Sequence, residues 1–252
     1  MFHVEDYSDD RLKSWCIHCG VAIANVKANR DHVPTKSFLS RRLREDGAAY
    51  DRGQGAPDGY LPQVVVCKAC NAGYSRDEAY LLCVLHAVLA GSLYPDPDTH
   101  PEAAKVLRSN RDVVRSLKAD PNGQMLLFDD LEPFTLYPDP DRVRGVVLKN
   151  ARGHAYHEIG EPMLDEPSFI SFQPLSSMTD EECAAFENGG GGGSDLWPEV
   201  GSRMMVRVVE GVGLAGGWVE VERGRYRYAV DWSAGVTVRT VIWDYLATET
   251  RW

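Results

Sequence analysis

The sequence predicts an α+β protein: an N-terminal module of short strands and helices closed by a metal, followed by a β-rich antiparallel region. Three observations predict it. Four of the six cysteines fall into two Cys-x-x-Cys pairs, Cys16/Cys19 and Cys67/Cys70. The segments around those pairs are short apolar runs, and a helical pattern follows the second pair. From about Phe128 onward, short runs alternate apolar and polar residues, as half-buried antiparallel strands do.

Taken in chain order, "CIHCG" (Cys16–Gly20) reads as a tight knuckle with glycine at its exit. "VKANRDHVPTKSF" begins as a short strand, which Pro34 interrupts just after His32. "SFLSRRLRE" predicts a short helix with Ser37 as its N-cap. Asp46–Pro62, rich in Gly, Asp and Pro, predicts a long loop. "QVVVC" is a strand, and a helix is expected from Asn71 to Leu89. A second helix is expected from Glu102 to Leu117, ended by "DPNG". The expected strands are "RVRGVVLKN", "PSFISFQ", "RMMVRVVEG", "GWVEVERG", "YRYAVDW" and "GVTVRTVIWDYL". Thr179 and Glu182 form a capping signature for a short helix, and "NGGGGGS" (Asn188–Ser194) reads as a flexible stretch. The segment "NARGHAYHEIGE" (Asn150–Glu161) is expected to be a hairpin exposing His154 and His157. These textures divide the chain into a module at residues 1–93, a helical connector at 94–127 and a β-rich accessory or regulatory domain at 128–252.

Composition bounds the function. With 252 residues, 44 % apolar and 25 % charged, the chain is long enough for one large domain or two modest ones of ordinary folded type. No apolar run approaches the roughly 20 residues that span a bilayer. The acidic start, "MFHVEDYSDD", lacks the basic and apolar pattern of a secretory signal, so a cytoplasmic location is expected. A reducing compartment favours metal over disulfides for the paired cysteines. The net charge of −10 argues against nonspecific nucleic-acid binding by the chain as a whole. Residues 1–93 carry 11 basic and 11 acidic side chains, so the whole excess is C-terminal, and Arg41, Arg42 and Arg44 leave room for a local basic groove.

Four thiolates satisfy a tetrahedral structural zinc completely, and each Cys-x-x-Cys turn supplies two of them. The 47 residues between Cys19 and Cys67 exceed what a minimal zinc ribbon needs. Within them stand Asp31 and His32, and Asn71 directly follows the last cysteine.

With "CIHCG", "DHVPTKS" and "CKACN" in that order, the sequence resembles the HNH endonucleases of the ββα-metal class in their zinc-stabilised form. The later "SRDEAYL" is similar to the helix continuation in a subgroup of that family. The resemblance covers about residues 14–85. It implies two strands and a helix around a catalytic divalent ion, magnesium or manganese, with a separate four-cysteine zinc. It implies that His32 acts as general base on the attacking water and that Asp31 and Asn71 bind the catalytic ion. The substrate implied is DNA, and a role in bacterial defence would fit the family by analogy. The family's central Asn is absent. Pro62 and Gln63 stand in its place, and Gln63 is the candidate substitute that braces the histidine loop.

The residue types suit that chemistry. Imidazole, with a pKa of about 6.5, takes a proton from water near neutrality. Carboxylate and amide oxygens suit a hard cation, which stabilises charge on a phosphoryl group. Lys36 is a candidate phosphate contact and equally an ordinary surface lysine. Ser75 and Glu78 share a helix face with Asn71 and are candidate partners of the metal ligands, or simply solvated. Cys83, one turn from His86, reads as core packing, and Cys183 as a small buried residue. The acidic C-terminal region suits contact with a protein partner or regulator. Two other classes stay open: a non-catalytic zinc module binding nucleic acid or protein, which needs no Asp31–His32–Asn71 trio, and a thiol redox protein, for which the element order supplies no thioredoxin-like setting. Oligomeric state leaves no signature in the sequence.

Overall fold

The computed structural model describes residues 15–46, 61–118, 134, 136–188, 202–210, 217–232 and 235–252. The expected loop at 47–60 and the glycine run at 189–193 lie outside them. The architecture is α+β, with seven α-helices and two antiparallel sheets among the described residues. Packing divides the chain into two units: Met1–Ala72 with Val147–Trp252, and Gly73–Val146.

The first unit begins with the knuckle at Cys16, closed by a Trp15–Ala22 bridge and by Gly20, whose φ of +71° suits the residue without a Cβ. Strands β1 (Ala28–His32) and β2 (Gln63–Cys67) pair antiparallel, Ala28 opposite Cys67 and His32 opposite Gln63. Between them, Lys36–Phe38 forms a 3-10 turn and α1 spans Arg41–Asp46. Ser40, rather than Ser37, caps α1: its Oγ accepts the Leu43 N–H at 3.3 Å. Helix α2 (Lys68–Leu89) follows β2 with no loop and starts three residues before the expected Asn71. Ile17, Val33, Val64 and Val66 bury around Cys16 and Cys67 to make this region's core.

The second unit holds most of α2, then α3 (Pro101–Ser109) and α4 (Arg111–Lys118). The single helix expected over 102–117 is thus two, broken at Asn110, whose side chain turns back to donate to the Val106 carbonyl at 2.8 Å. Tyr80 Oη accepts the Asp139 N–H at 2.7 Å, and the Arg142 guanidinium both stacks over the Tyr80 ring at 4.0 Å and donates to Asp77 at 2.8 Å. Cys83 is fully buried and burial pushes its thiol up to about 11, which fits core packing.

The chain re-enters the first unit along α5 (Pro140–Ile159). Here the structure corrects the sequence reading: "RVRGVVLKN" is not a strand, and "NARGHAYHEIGE" is not a hairpin. Asp139 Oδ1 accepts the Asp141 N–H at 3.0 Å and Pro140 holds the first helical position, so the helix has a firm start. His154 is fully buried, not exposed. "RMMVRVVEG" is likewise helical: α7 (Arg203–Glu210) starts at Ser202, whose Oγ accepts the Met205 N–H at 3.1 Å. Helix α6 (Asp180–Asn188) carries the expected capping box, with Glu182 Oε2 accepting the Thr179 N–H at 2.8 Å and Thr179 Oγ1 accepting the Glu182 N–H at 3.2 Å.

The other four expected runs are strands, and a fifth strand, Leu246–Arg251, running on from the end of "GVTVRTVIWDYL", is not among them. They are β3 (Phe169–Pro174), β4 (Val219–Glu222), β5 (Tyr226–Asp231), β6 (Thr237–Ile242) and β7 (Leu246–Arg251), in an antiparallel sheet of order β3-β7-β6-β5-β4. Residues paired directly across a ladder share a face. One face therefore carries Tyr228, Thr240 and Thr248, and Tyr228 stacks on His154 of α5 with ring centroids 3.8 Å apart. The other carries Val241 and Ala247, which pack with Ala229, Trp218 and Phe186 of α6. The β6–β7 turn places Trp243 and Asp244 at positive φ, and the Trp243 indole N–H donates to the Phe38 carbonyl at 2.6 Å. Ser40 N–H donates to Glu222 at 2.8 Å. These contacts join segments that the sequence division at 93 and 128 keeps apart.

Candidate metal centre and the adjoining polar site

The two knuckles converge. The Sγ atoms of Cys16, Cys19, Cys67 and Cys70 all lie within 4.8 Å of one another, and Cys19 and Cys67 are 3.8 Å apart. Four sulfurs each about 2.3 Å from a zinc ion at the centre of a tetrahedron sit about 3.8 Å apart, so the spacing suits one zinc. The local fold explains the convergence. Cys67 ends β2 while Cys70 lies in the first turn of α2, and the Cys70 N–H points at Cys67 Sγ at 3.4 Å. The Cys67 N–H reaches Cys16 Sγ at 3.4 Å and ties one knuckle to the other. Burial acts to raise the Cys67 thiol, but the Cys70 N–H and the neighbouring sulfurs outweigh it and hold it below its ordinary value. Burial and the sulfurs around Cys70 push that thiol far up. Four crowded thiolates need a cation to neutralise them. Convergence on one point favours a single metal site over two separate redox pairs.

Asp31 and His32 stand at the end of β1, beside this centre. Adjacent strand residues point to opposite faces. Asp31 is accordingly buried, and His32 is half-buried. The Gln63 amide lies 2.9 Å from His32 Nε2, directly across the ladder. Gln63 and His32 thus hold each other across the β1–β2 ladder. Asn71 lies in the first turn of α2, half-buried, and Lys36 is exposed in the 3-10 turn. Ser75, exposed, and Glu78, half-buried, follow on α2 within the second unit.

The partners of Asp31 are residues the sequence reading did not single out. Lys149 Nζ lies 2.9 Å from Asp31 Oδ1, with both side chains almost sealed from solvent, and His18 Nε2 lies 3.9 Å from Oδ2. Burial acts to raise the Asp31 carboxyl, but the His18 imidazole and the Lys149 ammonium outweigh it and hold it below its ordinary value. His18 is lowered, first by burial. Lys149 Nζ also donates to Thr35 Oγ1 at 3.1 Å. Asn150 completes the clamp: its Oδ1 accepts the Thr35 N–H at 2.9 Å and its Nδ2 donates to Thr35 Oγ1 at 3.1 Å. Arg152 donates to the His18 carbonyl at 2.9 Å, within the first knuckle, and to the Leu164 and Asp165 carbonyls. One turn of α5 therefore holds the first cysteine knuckle and the Asp31–Thr35 loop together. The signals for that turn were the Asp139–Pro140 helix start and the density of polar residues after Leu148. Neither ties the helix to Asp31, more than 100 residues away.

No family model, curated protein or solved structure matches the chain. Among the described residues, no helix is long and apolar enough to cross a membrane.

Proposed function

We propose that the region around the four cysteines is a metal-dependent endonuclease that hydrolyses DNA phosphodiester bonds, with a structural zinc at Cys16, Cys19, Cys67 and Cys70. The observation that carries this reading is the placement of Asp31 and His32 at the end of β1, both held by side chains rather than left to solvent. A simple zinc-binding module has no need for a braced histidine beside a buried carboxylate.

The roles follow from the donors. Asp31 and Asn71 offer a carboxylate and an amide oxygen, the donor set that magnesium or manganese prefers and that zinc among thiolates does not need. When bound there, such an ion would supply Lewis-acid stabilisation of the charge that builds on the phosphoryl group. Lys149 fixes Oδ1 of Asp31, and Oδ2 faces His18 Nε2 at 3.9 Å, so an ion there would share Oδ2 with that imidazole. The Gln63 amide nitrogen donates to His32 Nε2, so the ring's lone pair sits on Nε2, and His32 would take the proton of the attacking water there as Gln63 gives way.

The test is plasmid cleavage by zinc-loaded protein in magnesium or manganese. His32→Ala should lower the rate by at least about 100-fold, the usual size of a general-base contribution, with zinc content unchanged. Undiminished cleavage by His32→Ala would remove the assignment.

A second reading, a non-catalytic zinc module that binds nucleic acid or protein, has one observation behind it. The Asp31 carboxylate is already neutralised by Lys149, as a structural ion pair would be. On that reading neither form of the protein cleaves DNA.

A further inference from the structure

The second unit contains a cleft that plays no part in the proposed chemistry. Its volume is about 380 Å³, and α3, α4 and the segment before them line it. The floor is apolar and buried: Leu93, Pro95, Leu107 and Val114. The rim is of another kind. Arg108, Arg111 and Arg115 line it and are all exposed, and Tyr94 stands beside them, 69 % exposed. The break at Asn110 places Arg108 at the end of α3 and Arg111 at the start of α4. Arg111 and Arg115 are one turn apart, roughly 6 Å along the axis, and so share a face.

In a chain of net charge −10, three guanidiniums at one cleft are a local reversal. Among the described residues, Arg108 and Arg111 form no ion pair. Arg115 pairs with Asp112 at 2.9 Å, but both side chains are largely exposed, and such a pair holds its arginine weakly. Neither Asp96 nor Asp98 lines the cleft, although both lie in the same loop. Guanidiniums at helical spacing suit successive phosphates, and an exposed tyrosine over an apolar floor suits the plane of a base. An acidic protein segment would satisfy the charge but would have no use for the stacking surface.

We propose that this cleft binds single-stranded nucleic acid, with an unstacked base against Tyr94 and phosphates on Arg108, Arg111 and Arg115. Such a site would serve the proposed nuclease by holding a substrate strand, but its binding does not depend on that chemistry.

The test is fluorescence anisotropy with a labelled thymidine oligomer of about 12 nucleotides, within the usual range of single-strand sites, in buffer without added magnesium or manganese. The wild type should bind it, and bind a duplex of the same length more weakly. Arg108→Glu with Arg111→Glu should weaken binding at least about tenfold. It should also flatten the dependence of log Kd on log salt by roughly 1.4, at about 0.7 for each phosphate no longer neutralised. Tyr94→Ala should cost about tenfold and Tyr94→Phe should restore binding, because stacking needs the ring and not the hydroxyl. All three positions are exposed, and unchanged melting temperatures will show that the variants remain folded. Absence of wild-type binding would overturn the proposal, as would unchanged affinity and salt slope in the variants. A mononucleotide that competes as well as the oligomer would also overturn it, by marking a free-nucleotide site. If cleft variants bind and cleave normally, the cleft is lost and the nuclease stands. If His32→Ala cleaves normally while cleft variants lose binding, the nuclease is lost and the cleft stands.

Discussion

Gly153 shows how closely helix and site are fitted. A Cβ built there would lie 2.9 Å from Val33 Cγ2, one residue past His32. Val33 is buried and β-branched, so its methyls have nowhere to rotate. Gly153→Ala would gain up to about 1 kcal/mol of helix propensity, yet the clash should cost more, because overpacking a well-filled core typically costs about 1–3 kcal/mol. The variant should therefore be less stable in urea melts, and Val33→Ala in the same chain should recover part of the loss. Greater stability in Gly153→Ala alone would show that the loop yields easily. The same closeness explains why the partners of Asp31 were hidden. His32 and Gln63 face each other across one ladder that the runs "ANRDH" and "QVVVC" announce, whereas Lys149 reaches Asp31 only because a distant helix packs there.

At the scale of elements, the knuckles make a joint whose strength can be measured. Cys67 belongs to β2, Cys70 to α2 and Cys16 to the first turn, so one ion would fasten three elements. Structural zinc contributes its binding free energy directly to folding. Strong chelation, or Cys67→Ser, should release one zinc per chain and collapse the near-ultraviolet signal of this region. A zinc-free protein with an unchanged spectrum would contradict the site. Legibility also follows the elements. The four-cysteine set, β1, β2, four of the five C-terminal strands and the α6 capping box could be read because each has a local signature: a spacing, an alternation or a cap. Strand β7, "LATETR", has no apolar run to announce it. Helix α5 could not be read by periodicity. Every residue from Val147 to Ala155 is buried, so no solvent-facing side exists to alternate with the core, and the β-branched residues in "RVRGVV" imitate a strand. In α7, Val206, Val208 and Val209 are exposed, so its apolar residues do not mark the buried face. The capping residues Asp139 and Ser202 were the better guide.

Across the whole molecule, a buried network ties α5 and α7 to the sheet and sets the response to acid. His154 Nε2 lies 2.9 Å from Tyr226 Oη, and Glu158 accepts from Arg207 at 2.9 Å and from Tyr228 Oη at 2.5 Å. Burial lowers His154 to about 3. For Glu158 burial acts upward, but the Arg207 guanidinium outweighs it and holds the carboxyl at about 2. Both values lie below the ordinary 6.5 and 4.5, so the unfolded chain takes up protons first. The stability these groups contribute is complete above pH 6.5 and drains away as pH falls, through His154 between 6.5 and about 3 and through Glu158 between 4.5 and about 2. The melting temperature should begin to fall just below pH 6.5, and His154→Gln should flatten the upper part of that decline. A wild-type melting temperature constant from pH 7 to 4 would contradict the assignment.

The order in which the first unit's two segments are synthesised has its own consequence. The knuckles and the Asp31–Thr35 loop emerge early, but the turn of α5 that clamps them is encoded after the second unit, with Lys149 standing 114 positions after Thr35. At about 5–20 residues per second, translation takes roughly 6–23 s to cross that interval. During that time a nascent chain can load zinc on its cysteines while Asp31 still lacks its lysine. A ribosome that stalls within the second unit would release a product with the metal knuckles and no clamp, so the completed site certifies that translation has passed Lys149.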